Sequence, residues 1–375
     1  MEVTVGLPGG KTGVCLLPLR QQVPEHELQS HRVLAEKIAI LLGLPMTGIY
    51  DADPQPSGSL YLIPSDTLIG EPTKNRLGLH TTADFFGGWV AEPFIGTKAI
   101  THPLFDSESQ SPDGWNHRFG MLTGDVVLRG YTAFSIKDAH HAGQRLLRYG
   151  RLRIKPVCAC AGRGQMCVSD TEQLAQILAG VDERNIALWG LTLEEDLQDV
   201  MTYSVGQTEV AGLLMSHIGT QQLTRNNEGE QVYGGSRLAV VRGDYTELFA
   251  LNISQHAKLA INQARTYEAA AYQCFPGLLA SRRNYDIAQG MTPQGEFRSG
   301  VLEQSWRIGG ASGAEILALD AFDRDPSLSF VQAATREVYG ACEPPDHAWI
   351  LYRGNDAEVG PITKYVELIT DDHTY

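Results

Sequence analysis

The chain has 375 residues, of which 43% are hydrophobic, and a formal net charge of −14. This length allows two or three lobes with a buried core, whereas the negative charge argues against a protein that binds nucleic acid regardless of sequence. No apolar run approaches the length of a membrane span, the N-terminus lacks the pattern of a signal peptide, and six cysteines in so long a chain are typical of reduced residues, so we expect a cytoplasmic protein.

An N-terminal α/β lobe is predicted over residues 1–95. Val14–Leu19 is a short apolar run, and Ser59–Ile63 has the pattern of a strand. Between them, Glu25–Leu42 places its large apolar residues near one helical face, and Gly43 with Pro45 ends that helix. Residues 96–125 are polar and irregular, which indicates a crossover to a second lobe.

The second lobe begins with a helix over Ser135–Tyr149, for which Ser135 is a suitable N-cap. A strand over Leu152–Val157 contains Lys155, and the small-residue loop Cys158–Gln165 leads to another strand at Met166–Ser169. A lysine in an apolar strand is costly to bury without an anionic partner, and small residues let backbone amides approach an anion. This arrangement suits the phosphates of ATP; the alternative is an ordinary hairpin with an exposed lysine.

An acidic segment, Leu191–Asp199, follows about thirty residues later. A strand that ends in acidic residues can offer backbone groups to adenine and a carboxylate to ribose. The alternative is a solvated, acid-rich start of a helix. Cys158, Cys160 and Cys167 lie close in sequence, but their spacing is not that of common zinc sites.

The third lobe is predicted to carry a β-meander over Tyr203–Val241, a long helix over Asn252–Tyr272 and a hairpin of two strands. The hairpin joins Ser281–Gly290 to the strand of Gly300–Gly313, and it brings Asp286 and Glu303 onto adjacent strands, where they can share a hard cation. Alternation predicts that one face of the second strand carries Val301, Glu303, Ser305 and Arg307. The alternative for the acid and the arginine is a surface ion pair, which stabilises little. A helix over Ala314–Phe322 follows.

The order of these features resembles the ATP-grasp superfamily, from about Lys98 to Leu319, and is most similar to carboxylate ligases of the biotin-carboxylase and D-alanine-ligase type. The resemblance implies a mixed α/β and α+β chain, in which an N-terminal α/β lobe precedes two α+β lobes that clamp ATP. The predicted units are the N-terminal lobe (1–95), the small lobe with the phosphate loop (96–200), the large lobe with the metal-binding hairpin (201–340) and an acidic tail that packs back on a lobe (341–375).

The resemblance also assigns residues by position. Lys155, and an earlier lysine at Lys98, would reach the phosphates, and Ala159–Gln165 would cover them. The cofactor-binding set is Lys98, Lys155, Ala161, Gly162, Arg163, Gly164, Gln165 and the hinge residues Glu194, Glu195 and Leu197. The metal ligands would be Asp286, Glu303 and Ser305, and the catalytic set Arg307, Lys155 and Arg283. Two departures from the family pattern are Ser305, where an asparagine is expected, and a loop that is poor in glycine.

The function that the resemblance implies is an ATP- and Mg²⁺-dependent ligase that activates a small-molecule carboxylate as an acyl phosphate for attack by an amine or another nucleophile. Two alternatives stay open: a non-catalytic ATP-binding regulator on the same fold, which Ser305 favours, and a kinase that phosphorylates a hydroxyl. A homodimer is compatible with the resemblance, and neither nucleic acid nor a membrane is expected as a partner.

Overall fold

The computed structural model describes residues 10–20, 22–51, 58–157 and 164–369. Their strands are β1 (Lys11–Leu17), β2 (Met46–Ile49), β3 (Ser59–Pro64), β4 (Leu68–Ile69), β5 (Gly88–Val90), β6 (Gly130–Ala133), β7 (Leu152–Pro156), β8 (Met166–Val168), β9 (Leu191–Glu195), β10 (Gln198–Val210), β11 (Leu213–Arg225), β12 (Gln231–Arg242), β13 (Leu279–Ala280), β14 (Arg282–Met291), β15 (Phe297–Ser305), β16 (Phe330–Tyr339), β17 (Trp349–Asp356) and β18 (Gly360–Leu368). Their α-helices are α1 (Glu25–Leu42), α2 (Glu71–Leu77), α3 (His117–Thr123), α4 (Ile136–Leu147), α5 (Thr171–Ala179), α6 (Glu183–Trp189), α7 (Tyr245–Ala250), α8 (Gln255–Cys274) and α9 (Ser312–Arg324). None of these helices is long and apolar enough to cross a membrane.

The N-terminal segment forms a three-stranded parallel sheet in the order β2-β1-β3. Helix α1 covers it, and Leu34 and Ile38 of the helix lie in one apolar core with Val14 of β1. The helix has the predicted bounds, because Gly43 adopts the left-handed conformation (φ 65°) that ends it. All three strands run the same way, so the carboxyl ends of β1 and β3 meet at one edge.

A four-stranded antiparallel sheet in the order β6-β9-β7-β8 forms the next unit. Helices α4 and α5 pack on it through a compact apolar core that includes Leu146, Leu152 and Leu174. Ser135 caps α4 as predicted, since its hydroxyl accepts a hydrogen bond from the amide of Asp138. Lys155 lies on β7 and the hinge acids on β9, so the two predicted nucleotide elements are neighbouring strands.

The largest sheet has eight strands in the order β15-β14-β10-β11-β12-β16-β18-β17. The predicted meander forms its centre, as β10, β11 and β12. Helix α8 covers one face through the core of Tyr267 and Tyr285, and α9 covers the other through Ile316 and Val240. The predicted acidic tail supplies β17 and β18, which extend this sheet; β17 packs against α1 and β18 against α9.

The hairpin of β14 and β15 places Asp286 directly opposite Glu303, as predicted. The next pair, however, is Ile287 with Val301, so Leu302 is an extra residue on β15 and forms a β-bulge. Since Asp286 and Ile287 face opposite sides of β14, Glu303 and Val301 face opposite sides of β15. The predicted alternation that put Val301 on the face of Glu303 is therefore wrong, and Arg307 lies beyond the end of β15.

Candidate functional site

Two carboxylates face each other on the hairpin. Asp286 is half-buried, and its Oδ1 accepts hydrogen bonds from Ser204 Oγ at 3.1 Å and Asn284 Nδ2 at 3.0 Å. The Glu303 side chain is 35% exposed and can reach a ligand. Burial raises the pKa of Asp286, and the charge of Glu303 raises it further. Two repelling carboxylates at the edge of solvent suit Mg²⁺, which proteins usually hold through one or two such groups.

Lys98 approaches this pair from another part of the chain. Its Nζ lies 3.0 Å from Glu303 Oε2, although the lysine side chain is only 5% exposed. The short 3₁₀ turn that carries it, Lys98–Thr101, is held against β15 because Gln304 Nε2 donates to the carbonyl oxygens of Ile95 and Thr97 at 2.9 and 2.7 Å. The predicted nucleotide lysine thus contacts a predicted metal ligand.

Asn284 belongs to the same face and was missed in the sequence. It lies directly opposite Ser305 and two residues before Asp286, so all three side chains and Glu303 line one side of the hairpin. Its Oδ1 is 3.1 Å from Nε2 of the buried His217. Gly206 leaves room for this contact, since a Cβ there would lie 2.8 Å from the His217 ring. The spacing of Asn284 and Asp286 on a strand was the signal that could have identified it.

Arg282 holds the end of β15 in place through hydrogen bonds to its main chain. Its guanidinium binds both oxygens of Glu315 on α9, at 2.9 and 2.6 Å, and both side chains are fully buried. The remaining nitrogen donates to Ser305 Oγ at 3.2 Å and to the carbonyl oxygens of Ser305 and Arg307 at 3.0 and 2.6 Å. The Ser305 hydroxyl is therefore oriented by an arginine, and the backbone that carries Arg307 is fixed.

Arg307 points towards the N-terminal lobe. Its Nε lies 3.5 Å from Asp66 Oδ1, in the segment that follows β3. Thr67 Oγ1 also donates to the carbonyl oxygen of Trp306 at 3.4 Å, so the end of the hairpin and the edge of the N-terminal sheet are in contact. About a quarter of the Arg307 side chain is exposed to solvent.

Arg283 does not join these residues. It follows Arg282 on β14 and therefore faces the opposite side, where it is bound to Glu268 of α8 at 3.0 Å and to the carbonyl oxygen of Ala280 at 2.7 Å. The charge of Glu268 outweighs the effect of burial and raises the Arg283 pKa above its ordinary value. The sequence assigned Arg283 to the catalytic set, and the structure corrects this assignment. The side chain lies on the α8 side of the sheet, where it stabilises the packing of that helix.

Lys155 and Glu194 form a buried ion pair on adjacent strands, and His102 Nε2 lies 3.1 Å from the other carboxylate oxygen of Glu194. Burial acts to raise the pKa of Glu194, but the charge of Lys155 and the contact with His102 outweigh it and lower the pKa to about 2. The anionic partner that Lys155 requires is thus an internal acid in this structure. Both of its carboxylate oxygens are in contact with protein cations or donors, Lys155 and His102.

The other hinge side chains are also engaged within the protein. Glu195 Oε1 accepts a hydrogen bond from the amide of Arg129 at 2.9 Å, and Leu197 packs with Leu128 and Ala288. Any contact of this hinge with adenine would therefore come from its main chain.

Part of the predicted phosphate loop lies outside the described residues, namely Ala159, Cys160, Ala161, Gly162 and Arg163, and so does Cys158. Gly164 adopts a positive φ of 69°, and Gln165 Oε1 accepts a hydrogen bond from Arg153 at 3.2 Å. Cys167 is an exposed free thiol. Within the described part of the chain, no group of three or more His, Cys, Asp or Glu side chains is arranged to hold a metal ion, so a metal here would rest on two carboxylates.

Comparisons with known proteins show the family and the fold of this chain. The family model described as a protein of unknown function, DUF3182, matches residues 14–366. A search of the curated proteins gives no match. Biotin carboxylase from Campylobacter jejuni is 10% identical with a TM-score of 0.51, over 97% of this chain and 88% of that one. Phosphoribosylamine–glycine ligase from Thermotoga maritima is 10% identical with a TM-score of 0.51, over 96% and 93% of the two chains.

At such identities the structural similarity establishes the fold, and the mixed α/β architecture is that of these ATP-grasp proteins. The predicted fold is confirmed. The chain has the ATP-grasp fold and belongs to the DUF3182 family.

Proposed function

We propose that the chain is an ATP- and Mg²⁺-dependent ligase that activates a substrate carboxylate as an acyl phosphate, which an amine or another nucleophile then attacks. The observation that carries the proposal is the pair of Asp286 and Glu303, opposite each other on the hairpin and contacted by Lys98. Neither carboxylate contributes to an apolar core. The electrostatic repulsion between the two carboxylates would be relieved by a bound cation.

Each residue has a role in this proposal. Asp286 and Glu303 would hold Mg²⁺, with the Ser305 hydroxyl as a third oxygen, and the bound ion would neutralise charge on the phosphate oxygens. Lys98 and Lys155 would turn from Glu303 and Glu194 to the triphosphate, and Arg307 would stabilise the transferring phosphoryl group with its two-pronged guanidinium. Glu194, Glu195 and Leu197 would contact adenine through their main chain, and the loop that includes Gly164 and Gln165 would cover the phosphates.

The reaction balances without a side-chain nucleophile. A carboxylate oxygen of the substrate attacks the γ-phosphorus, the bond to the bridging oxygen breaks, and ADP leaves. The nucleophile, for example an amine, then attacks the acyl carbon, inorganic phosphate leaves with the electron pair of the broken C–O bond, and the proton that the amine loses passes to the departing phosphate or to solvent. What the protein contributes is position and positive charge, which is how phosphoryl transfer is catalysed in general.

Replacing Glu303 by Gln tests the metal site. We expect Glu303→Gln to lower ADP release in the presence of ATP, Mg²⁺ and a panel of carboxylates and amines by at least about a hundredfold, because a neutral amide is a much weaker Mg²⁺ ligand. The matched control is Glu296→Gln at the exposed turn of the same hairpin, where Glu296 is paired with Arg298. Full turnover in Glu303→Gln would rule out the assigned metal site.

The second candidate, a non-catalytic ATP-binding regulator, is favoured by two observations. Ser305 stands where an amide oxygen is expected, and Lys155 is already neutralised by Glu194. A regulator would show a higher melting temperature with ATP and Mg²⁺ but no ADP release with any acceptor. The ligase would show both.

A further inference from the structure

A chain of polar side chains leads from helix α9 through the core of the large sheet to the candidate metal site. Its members are Glu315 on α9, His217 on β11, and Asn284 and Asp286 on β14. We propose that His217 and Asn284 are positioning residues, which fix the Asp286 carboxylate in the orientation that receives the cation. The inference rests on the proposed function and deepens it, because it assigns control of the metal site to two side chains that would not bind the ion themselves.

His217 and Asn284 meet across a glycine, although they lie on strands that are not adjacent. Strand β10 separates β11 from β14, and its residue Gly206 pairs with His217 on one side and with Asn284 on the other. A Cβ at this glycine would lie 2.8 Å from the His217 ring and 3.0 Å from the Asn284 Cα. Because β10 has no side chain at this position, His217 Nε2 approaches Asn284 Oδ1 to 3.1 Å.

The surroundings of the His217 ring determine which of its nitrogens carries the proton. Nε2 faces two oxygen acceptors, Asn284 Oδ1 and, at 4.0 Å, Glu315 Oε1. The buried Nδ1 has no hydrogen-bond partner within the described part of the chain. A neutral imidazole carries one proton, and that proton is more stable on the nitrogen that faces acceptors. His217 is therefore a donor through Nε2, and the Asn284 amide must turn its oxygen to the ring.

The orientation of the Asn284 amide in turn controls Asp286. With its oxygen held by His217, the amide presents Nδ2, which donates to Asp286 Oδ1 at 3.0 Å. Ser204 Oγ donates to the same oxygen at 3.1 Å. Two donors on one oxygen restrain the rotation of the carboxylate, and the hydrogen-bond partners of a metal ligand commonly set its orientation in this way. An amide that was free to turn over would place its own oxygen against the carboxylate and repel it.

Mn²⁺ affinity, measured by electron paramagnetic resonance on the full chain with a non-hydrolysable ATP analogue, tests this role. His217→Leu and Asn284→Leu remove the donors and keep a side chain of similar size. We expect each to weaken Mn²⁺ binding about tenfold or more, which is the usual effect of removing a hydrogen-bond partner of a metal ligand. His217→Gln keeps an N–H donor and should bind Mn²⁺ more tightly than His217→Leu. A role in stability alone would leave the Mn²⁺ affinity of the folded variants unchanged.

Tyr245→Phe is the matched control, because it removes a buried hydrogen bond on the α8 side of the same sheet. There the Tyr245 hydroxyl donates to Glu268 Oε2 at 3.2 Å. This variant should bind Mn²⁺ like the parent chain. The melting temperature of every variant is measured, so that only folded proteins are compared, and Asn284→Leu carries the test if His217→Leu does not fold.

A second measurement needs neither metal nor nucleotide. In nitrogen NMR of histidine-labelled protein, the His217 ring, assigned by its loss in His217→Gln, should show a protonated Nε2. The proposal is overturned if Nε2 carries no proton, or if His217→Leu and Asn284→Leu both bind Mn²⁺ like Tyr245→Phe. In the latter case a loss of affinity in Asp286→Asn would leave the proposed function standing. A parent chain that binds no Mn²⁺ would instead overturn the proposed function and this inference together.

Discussion

Individual charged side chains in this protein are neutralised by internal partners. Lys98 contacts Glu303 and Lys155 contacts Glu194, and both lysines are nearly buried. A buried charge requires such a partner, which the sequence predicts for Lys155 without revealing which acid supplies it. Binding of a triphosphate is therefore expected to be an exchange, in which phosphate oxygens replace two carboxylates.

His31 makes stability depend on pH in a defined direction. Its pKa is about 3 in the folded chain against 6.5 ordinarily, so between these values the unfolded chain binds one more proton. The unfolding free energy should then fall as pH decreases, approaching about 1.4 kcal/mol per pH unit. In His31→Asn this contribution disappears. Urea unfolding at pH 6.5 and pH 5 measures it, in a range in which Glu194 stays ionised in the folded chain.

The unfolding free energies of His31→Asn and of the parent chain are compared at both pH values. This is needed because His217 is also buried with a lowered pKa, and its contribution to the pH dependence is the same in both proteins. An identical pH slope in His31→Asn and the parent chain would contradict the burial of a neutral His31.

Site residues differ in how far the sequence predicts them. The predicted hairpin brings Asp286 and Glu303 onto adjacent strands, as expected from its polar turn residues, and the structure pairs the two residues directly. The errors at Arg283 and Asn284 have one cause. Neighbouring residues of a strand point to opposite faces of the sheet, and the sequence does not show which face of β14 packs against α8. His102 contacts Glu194 although the two residues are 92 positions apart in the chain, and local sequence patterns do not predict such a contact.

At the scale of elements, the β-bulge at Leu302 determines where the site faces. It lets Val301 remain in the α8 core while Glu303 turns to the side of Asp286. Helix α1 was predicted to the residue because proline, glycine and apolar periodicity mark its ends, whereas nothing in the sequence distinguishes Leu302 from its neighbours.

The hairpin is joined to α9 by the buried pair of Arg282 and Glu315. Replacing Glu315 by Gln leaves a buried guanidinium without its counter-charge and should lower the unfolding free energy by about 3–5 kcal/mol. Denaturant unfolding measures this. The double variant Arg282→Met with Glu315→Met should recover part of the loss, because no buried charge is left unpaired, while the carbonyl oxygens of Ser305 and Arg307 lose their donor.

Glu296→Gln, at the exposed turn of the same hairpin, is the control and should change the unfolding free energy by less than about 0.5 kcal/mol. If Glu315→Gln were as stable as this control, the pair would not be what holds the end of β15 in place.

Across the whole molecule, the sequence predicts that residues 341–375 form an acidic tail that packs back on a lobe, but it does not predict how they do so. In the structure β17 and β18 continue the eight-stranded sheet. Pairing between distant strands depends on the register of the entire sheet. The candidate site is assembled from the segment at Lys98 and the hairpin, and Arg307 beyond the hairpin contacts Asp66 of the N-terminal lobe.

The most direct test of the central claim is a titration of Mn²⁺, as a substitute for Mg²⁺, followed by electron paramagnetic resonance in the presence of a non-hydrolysable ATP analogue. We expect one tightly bound Mn²⁺ per chain, and a loss of affinity of about tenfold or more in Asp286→Asn and in Glu303→Gln, because each removes a charged oxygen ligand. Glu296→Gln should bind like the parent chain. Equal Mn²⁺ affinity in all four proteins would contradict a metal site on the hairpin.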